Sequence, residues 1–266
     1  MANKGSSLSN KPRSSLNSGL DVLELLSKRR SPTNLTDIAA ALGMSKSGVH
    51  SLLTTLSDRG FIERDANGAY DLGLKAWEVG CSVPQLDIGR FAAPHMNDLV
   101  RTVSEGAILG ILQGRDVVYA HLVESPQPVR VHAELGDRIP AHWTSTGLAL
   151  LSALPDDEVR ALLPAKLEPR TDQTIIDIDQ LLRELQRVRT RGYAINRGGW
   201  RLDVGGVAAA VLAHDSRPAA AVCVAAPLYR MTRTWLATIC PAMMICVDRV
   251  SKAIRGAPQV VRGSVA

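Results

Sequence analysis

Within twenty residues the chain sets out Ser45, Lys46, Ser47, His50, Ser51 and Thr54, followed by Arg59 and Arg64. At 3.6 residues per turn the first six spread hydroxyls, an imidazole and an ammonium along the outward side of one helix. Hydroxyls can reach phosphates or base edges, and a lysine can pair with a phosphate or with guanine. Arg64 adds a candidate phosphate contact. This is the chemistry of gripping a duplex, with no bond made or broken. A merely solvated face, or one that docks another protein, uses the same residue types. The surrounding elements must decide.

Those elements follow from the spacing of apolar residues. Leu16, Leu20, Leu23 and Leu26 predict a first helix, with Ser18 able to cap it, ending near Arg29-Arg30 before Ser31-Pro32. Asn34 or Thr36 can cap a second helix with Ile38, Ala39 and Leu42 facing inward. Gly43 provides a turn where a positive φ is cheap. Ser45 then caps a third helix, with Val49, Leu52, Leu53 and Leu56 on its buried side. Gly60 closes it, and Phe61–Arg64 and Ala69–Leu72 flank Asn67-Gly68, a hairpin signal. Two helices across a glycine turn, leading into a hairpin, describe a winged helix-turn-helix, which lays its second helix in the major groove.

Charge agrees with that reading. Residues 1–64 carry nine lysines and arginines against five acids, so most of the net charge of +5 sits in this quarter of the chain. Concentrated positive charge is the footprint of phosphate contacts. With 266 residues, 45% hydrophobic and 21% charged, the chain has room for two cores. No apolar run reaches the roughly 18–20 residues of a membrane span, and the first residues lack a secretory apolar block, so a cytoplasmic protein with no membrane partner is expected. Cys81, Cys223, Cys240 and Cys246 show no paired spacing and read as buried thiols. Scattered histidines give no metal-site spacing, although His132 and His142 flank a region discussed below. Neither a metal nor a cofactor is expected. Nucleophile-elbow, phosphate-loop, dinucleotide and zinc-protease motifs are absent, which argues against an enzyme.

The expected organisation is a flexible arm over 1–15, the winged helix over 16–73, a linker helix over 74–85, a second domain over 86–257 and a tail over 258–266. In the second domain a long amphipathic helix runs through Ile88, Phe91, Met96, Leu99, Val100 and Val103. Strands are predicted at Ala107–Leu112, Val117–Val123, Val129–Ala133, Tyr193–Asn196, Val204–Ala213 and Ala219–Ala226. Helices are predicted at Ser145–Ala153, Asp156–Leu163, Ile178–Thr190 and Thr234–Ile254. Hairpin strands flanked by helices make an α+β domain with an antiparallel sheet. The run GGVAAAVLA suits a strand buried on both faces.

Three stretches, LTDIAAALGMSKSGVHSLLTTLSDRGFIER, GRDVVYAHLVESPQPVRVHAELGDRIPAHWTSTGLALLSALP and RGYAINRGGWRLDVGGVAAAVLAHDSRPAAAVCVAAP, together resemble the IclR-type bacterial transcriptional regulators over nearly the whole length. The resemblance implies a GAF-like effector-binding domain, a dimer often paired into a tetramer, and binding to a double-stranded DNA operator tuned by a small organic acid. It places the effector against Val131, Ile139, Ser145, Thr146, Asn196, Gly206, Cys223 and Ala225. Independently, a helix starting at Ser145 offers free N–H groups and a positive dipole end to a carboxylate. Ser145 as a plain cap and Cys223 as a core thiol remain open readings.

The chain departs from the family pattern at Gly198-Gly199, at Gly206, at Ala225 and at Leu148, and in the third helix at Ser51. Fewer polar groups beside Trp143 and Trp200 suggest a larger, less polar pocket and an aromatic acid or amide-like ligand. An enzyme, or an assembly domain with a vestigial pocket, remains the alternative for the second domain.

Overall fold

The computed structural model describes residues 14–29, 31–81 and 87–256. Most of the expected arm, Arg30, residues 82–85 of the expected linker, Leu86 and the expected tail lie outside them. The chain divides into two compact units, Met1–Val83 and Pro84–Ala266.

In the first unit, α1 (Ser15–Arg29), α2 (Leu35–Leu42) and α3 (Lys46–Asp58) close over Val22, Leu26, Ile38, Ala39, Val49 and Leu53, joined by Ile62 and Tyr70. Strands β1 (Ile62–Arg64) and β2 (Tyr70–Leu72) form the hairpin, and α4 (Leu74–Cys81) follows. Thr33 pairs with Tyr70, tying the α1–α2 connection to the hairpin. Asn34 caps α2 by accepting from Asp37 N, and Gly43 ends that helix at φ 61°. Gly73 lies so near the end of α3 that a Cβ there would stand 2.3 Å from the Gly60 carbonyl oxygen.

Three expectations need correction here. Ser18 does not cap α1: Ser14 Oγ accepts from Asn17 N at 3.2 Å, and Ser18 is buried beside Val22 and Leu26 on the core face. Leu16 and Leu20 are exposed, because the stripe through Ser18, Val22 and Leu26 faces inward instead. Each hairpin strand is one residue shorter than expected, so the connection spans Asp65 to Ala69. Asp65 Oδ1 organises it by accepting from Asn67 N (2.9 Å) and Ala69 N (2.8 Å).

The second unit is built on one antiparallel six-stranded sheet in the order β5-β4-β3-β8-β7-β6. Its strands are β3 (Gly106–Gln113), β4 (Asp116–Val123), β5 (Arg138–Pro140), β6 (Ala194–Arg197), β7 (Val204–Leu212) and β8 (Pro218–Pro227). Helices α5 (Asp87–Val103) and α9 (Arg233–Gly256) cover one face, burying Met96, Met243 and Val247 against Leu109, Val207 and Val222. Helices α6 (Ser145–Ser152), α7 (Asp156–Leu162) and α8 (Ile178–Arg191) cover the other, burying Leu148, Leu151 and Leu185 with Ile108, Ala208 and Cys223. Residues thus alternate between two cores along each central strand. As expected, β7 is buried on both faces and has a neighbour on each side. Phe91 on α5 is a partial exception to its apolar stripe, at 38% exposure.

Val129–Ala133 is not a strand. Pro126 and Pro128 remove backbone donors just ahead of it, and β4 is met instead by Gly136 and Asp137, through Gly136 N to Tyr119 O and Tyr119 N to Asp137 O. The paired segment is the three-residue β5. Cys223, Cys240 and Cys246 are free buried thiols. Among the described residues no helix is long and apolar enough to cross a membrane.

Candidate nucleic-acid interface and effector cavity

Helix α3 begins where Ser45 Oγ accepts from Gly48 N at 3.2 Å, an N-cap that satisfies one of the orphan backbone donors of the first turn. Ser45, Lys46, Ser47, His50, Ser51, Thr54, Arg59 and Arg64 are all exposed. Ser47, His50 and Thr54 follow one another at i, i+3 and i+7 and so share a stripe. Thr54 and Thr55 donate back to the His50 and Ser51 carbonyls, fixing their rotamers. Ser51 and Arg59 lie toward a second feature, a groove between α1 and α3 lined by Leu16, Leu20, Leu52, Leu56 and Phe61. On the hairpin, Arg64 folds over the Tyr70 ring (5.6 Å to the centroid), with Nε 3.4 Å from the Gly68 carbonyl. The unit therefore offers a capped polar helix with cations at both ends of its reach.

In the second unit a cavity opens between the start of α6 and the sheet. Of the eight positions expected there, seven line it: Val131, Ser145, Thr146, Asn196, Gly206, Cys223 and Ala225. Ile139 does not. It is paired with Val117 in the β4–β5 ladder and buried in the core, at 5% exposure. Ile108, Tyr119, Thr144, Val204 and Gly205 complete the wall together with Trp143 and Trp200. Strand alternation could have found Ile108 and Tyr119, since each points the same way as a neighbour already named. Ile108 stands opposite Cys223 in the β3–β8 ladder.

Local sequence explains the cavity's shape. Thr144, not Ser145, caps α6, through Gly147 N to Thr144 Oγ1 at 3.0 Å. Ser145 and Thr146 therefore occupy the first helical turn, where backbone N–H groups lack intrahelical acceptors and the dipole is positive. Gly206 makes room beneath them: a Cβ there would sit 2.9 Å from Ser145 Oγ. Ser145 Oγ and Cys223 Sγ are 3.4 Å apart. Burial pushes the Cys223 thiol up, outweighing the hydrogen bonds from Ser145 and Thr146, so it stays a neutral thiol. Burial likewise keeps the Tyr119 phenol protonated. The positive element is thus the helix start, with Arg201 near enough to Tyr119 to favour its ionised form.

The space left is small, about 30 Å³, the room of a single water. The roomier pocket suggested by the sequence is not present in this conformation, in which Trp143 and Trp200 stand in the wall. Both His142 Nε2 and Trp143 Nε1 are 2.9 Å from the Glu168 carbonyl oxygen, which takes the indole N–H. His132 lies outside the cavity, exposed, 3.0 Å from Glu134. Among the described residues no cluster of three or more His, Cys, Asp or Glu side chains could hold a metal.

A helix-turn-helix with a wing, joined in one chain to a separate domain built on an antiparallel sheet, defines a DNA-binding regulator. Residues 15–66 match the IclR helix-turn-helix domain, and residues 81–252 match the family described as bacterial transcriptional regulator IclR C-terminal. The chain belongs to the IclR family of bacterial transcriptional regulators, and it is a regulator of transcription rather than an enzyme. It is 34% identical to the HTH-type transcriptional regulator XynR of Escherichia coli, over 78% of this chain and 84% of that one. It is 30% identical to the regulator KipR of Bacillus subtilis, over 83% and 89% of the two chains. The solved structure of Thermotoga maritima IclR matches at 25% identity with a TM-score of 0.76, covering 90% of this chain and 98% of that one.

Proposed function

We propose that this protein binds a double-stranded operator through Ser45, Lys46, Ser47, His50, Ser51 and Thr54, with Arg59 and Arg64 on flanking phosphates, and that a small organic acid in the second unit tunes that binding. The observation that carries the ligand half is the meeting of the α6 first turn, Ser145 and Thr146, with Cys223, Asn196 and Gly206 around one cavity. Free N–H groups at a helix start hold a carboxylate, and the apolar remainder of the wall accepts its body. Val131 and Ala225 belong to that wall, while Ile139 supports it from the core.

In this reading the protein works in the cytoplasm as a dimer, or a tetramer of two dimers. Two copies present two α3 helices to half-sites about 34 Å apart or a multiple of that spacing. A ligand that binds one arrangement of the effector domains more tightly shifts the DNA heads toward it, and operator and ligand affinities change by the same factor.

The test is a fluorescence-polarisation titration of the full chain against DNA flanking its own coding region, repeated with a panel of small carboxylic acids. The expected result is salt-sensitive binding whose midpoint moves with at least one acid. Absence of duplex binding at low salt overturns the first half of the reading, and indifference to every acid overturns the second.

A further inference from the structure

Two tryptophans held by one strap line the cavity. Trp143 donates from Nε1 to the Glu168 carbonyl at 2.9 Å. Three residues on, Thr171 Oγ1 donates to the Gly198 carbonyl (2.6 Å), and Thr174 Oγ1 donates to the Gly199 carbonyl (2.8 Å). Those carbonyls immediately precede Trp200. The same turn is pinned from the other side by Asn196 Oδ1, which accepts from Gly199 N at 3.0 Å. Glu168–Thr174 therefore fixes one indole directly and the other through its turn. With both in place the cavity holds about 30 Å³, less than any organic acid needs.

The outer decoration of the two rings has a common chemistry. The Arg170 guanidinium lies 5.7 Å from the Trp143 ring centroid, and that of Arg201 lies 4.3 Å from the Trp200 centroid. Both arginines are exposed, while both indoles are half-buried and line the cavity. An aromatic plate with a cation on it, beside a site whose inner end is a helix start, suits a flat body carrying a negative charge.

We infer that Trp143 and Trp200 form a gate latched by Thr171 and Thr174, that it opens to admit planar organic anions, and that Arg201 recruits them. This rests on the reading of the cavity as the effector site. Opening breaks the Thr171–Gly198 and Thr174–Gly199 hydrogen bonds and swings the Trp200 turn outward. Reclosure re-forms both latch hydrogen bonds around the anion, with the indole rings turned from their unliganded positions so that its flat body fits between them against Ser145 and Thr146.

Stopped-flow tryptophan fluorescence of the full-length protein, with benzoate and its neutral analogue benzamide as probes, tests the gate. In Thr171→Val the association and dissociation rates for benzoate should both rise roughly fivefold, the size expected for one lost net hydrogen bond. The affinity should stay nearly constant, and Thr171→Ser should restore the parent rates. A residue that merely shapes the wall would change dissociation alone. Trp200→Ala, read through Trp143, serves as a second opened gate should Thr171→Val fold poorly, and it should also speed both rates. Arg201→Gln should slow benzoate association roughly threefold at low salt and leave benzamide unaffected.

Benzoate binding to the parent with both rates unmoved in Thr171→Val and Trp200→Ala overturns the gate while leaving the cavity reading intact. Failure of benzoate to bind the parent or either opened variant overturns the planar-anion class. The operator titration with non-planar acids then judges the cavity reading separately. Equal association of benzoate and benzamide removes the role of Arg201.

Discussion

Ser145 Oγ and Cys223 Sγ meet at 3.4 Å across the cavity floor, and the missing side chain at Gly206 leaves the space beside them. A Cβ at Gly206 would stand 2.9 Å from Ser145 Oγ, 3.1 Å from the Val224 carbonyl and 3.2 Å from Cys223 Sγ. Gly206→Ala should therefore destabilise the protein by about 1–3 kcal/mol through overpacking and abolish the ligand-induced rise in Tm. Urea denaturation and thermal shift read the two effects. Unchanged stability together with an intact ligand response would show that the floor is looser than its geometry indicates.

Lys46→Ala should weaken operator binding while circular dichroism and ligand affinity stay at parent values. Lys46 is exposed at the first position of α3, beyond the Ser45 cap. If it neutralises one phosphate, the slope of log affinity against log salt should shrink by about one. An unaltered slope and affinity would move the duplex contact off this helix end.

Glu105 and Arg230 form an ion pair through two hydrogen bonds, 2.7 and 2.9 Å, with the Glu105 side chain only 4% exposed. Arg230 also donates to the Val129 carbonyl, two residues before the Val131 cavity wall. Arg230→Met should cost about 3 kcal/mol, the low end for breaking a buried pair, because Trp235 Nε1 still reaches Glu105. The double variant Glu105→Gln with Arg230→Met should recover much of that loss. Chemical denaturation of the parent, the two single variants and the double variant decides it, and an additive loss in the double variant would contradict the pairing.

His142 is buried, its Nδ1 has no hydrogen-bond partner, and burial lowers its pKa below the ordinary 6.5. The unfolded chain then takes up a proton on acidification that the folded chain resists. Stability should be flat above about pH 6.5 and fall as pH drops below it. His121 is shifted the same way by burial, so His142→Gln should remove part of the slope rather than all of it. Comparing denaturation midpoints at about pH 5.5 and about pH 7.5 checks this, and identical slopes in parent and variant would exclude His142 as a contributor.

How much of this was readable in the chain varies with the distance over which a residue acts. Asn34, Gly43 and Ser45 act over a few residues, and their capping and turning roles were legible from type and spacing alone. The strands of the large sheet were legible from apolar runs between turn residues. Leu16 and Leu20 misled because α1 carries apolar residues on two adjacent stripes, and only the packing of α2 and α3 selects the one through Val22. Ile139 was placed beside the effector by the family resemblance alone, and its pairing with Val117 puts it in the core instead. The Trp143 and Trp200 closure depends on hydrogen bonds between residues more than twenty positions apart, and no local pattern encodes them. The Glu105–Arg230 pair spans 125 positions and left no trace in the reading.

The hairpin of the first unit has a further consequence. Its outermost residues, Ala66 and Asn67, are exposed and owe their path to the carboxylate of Asp65, whereas Gly73 at its base is wedged against Gly60. Substitution at the tip is thereby uncoupled from folding. Two neighbouring positions can thus change at little cost to stability, whereas a side chain at Gly73 cannot be added without displacing the Gly60 carbonyl.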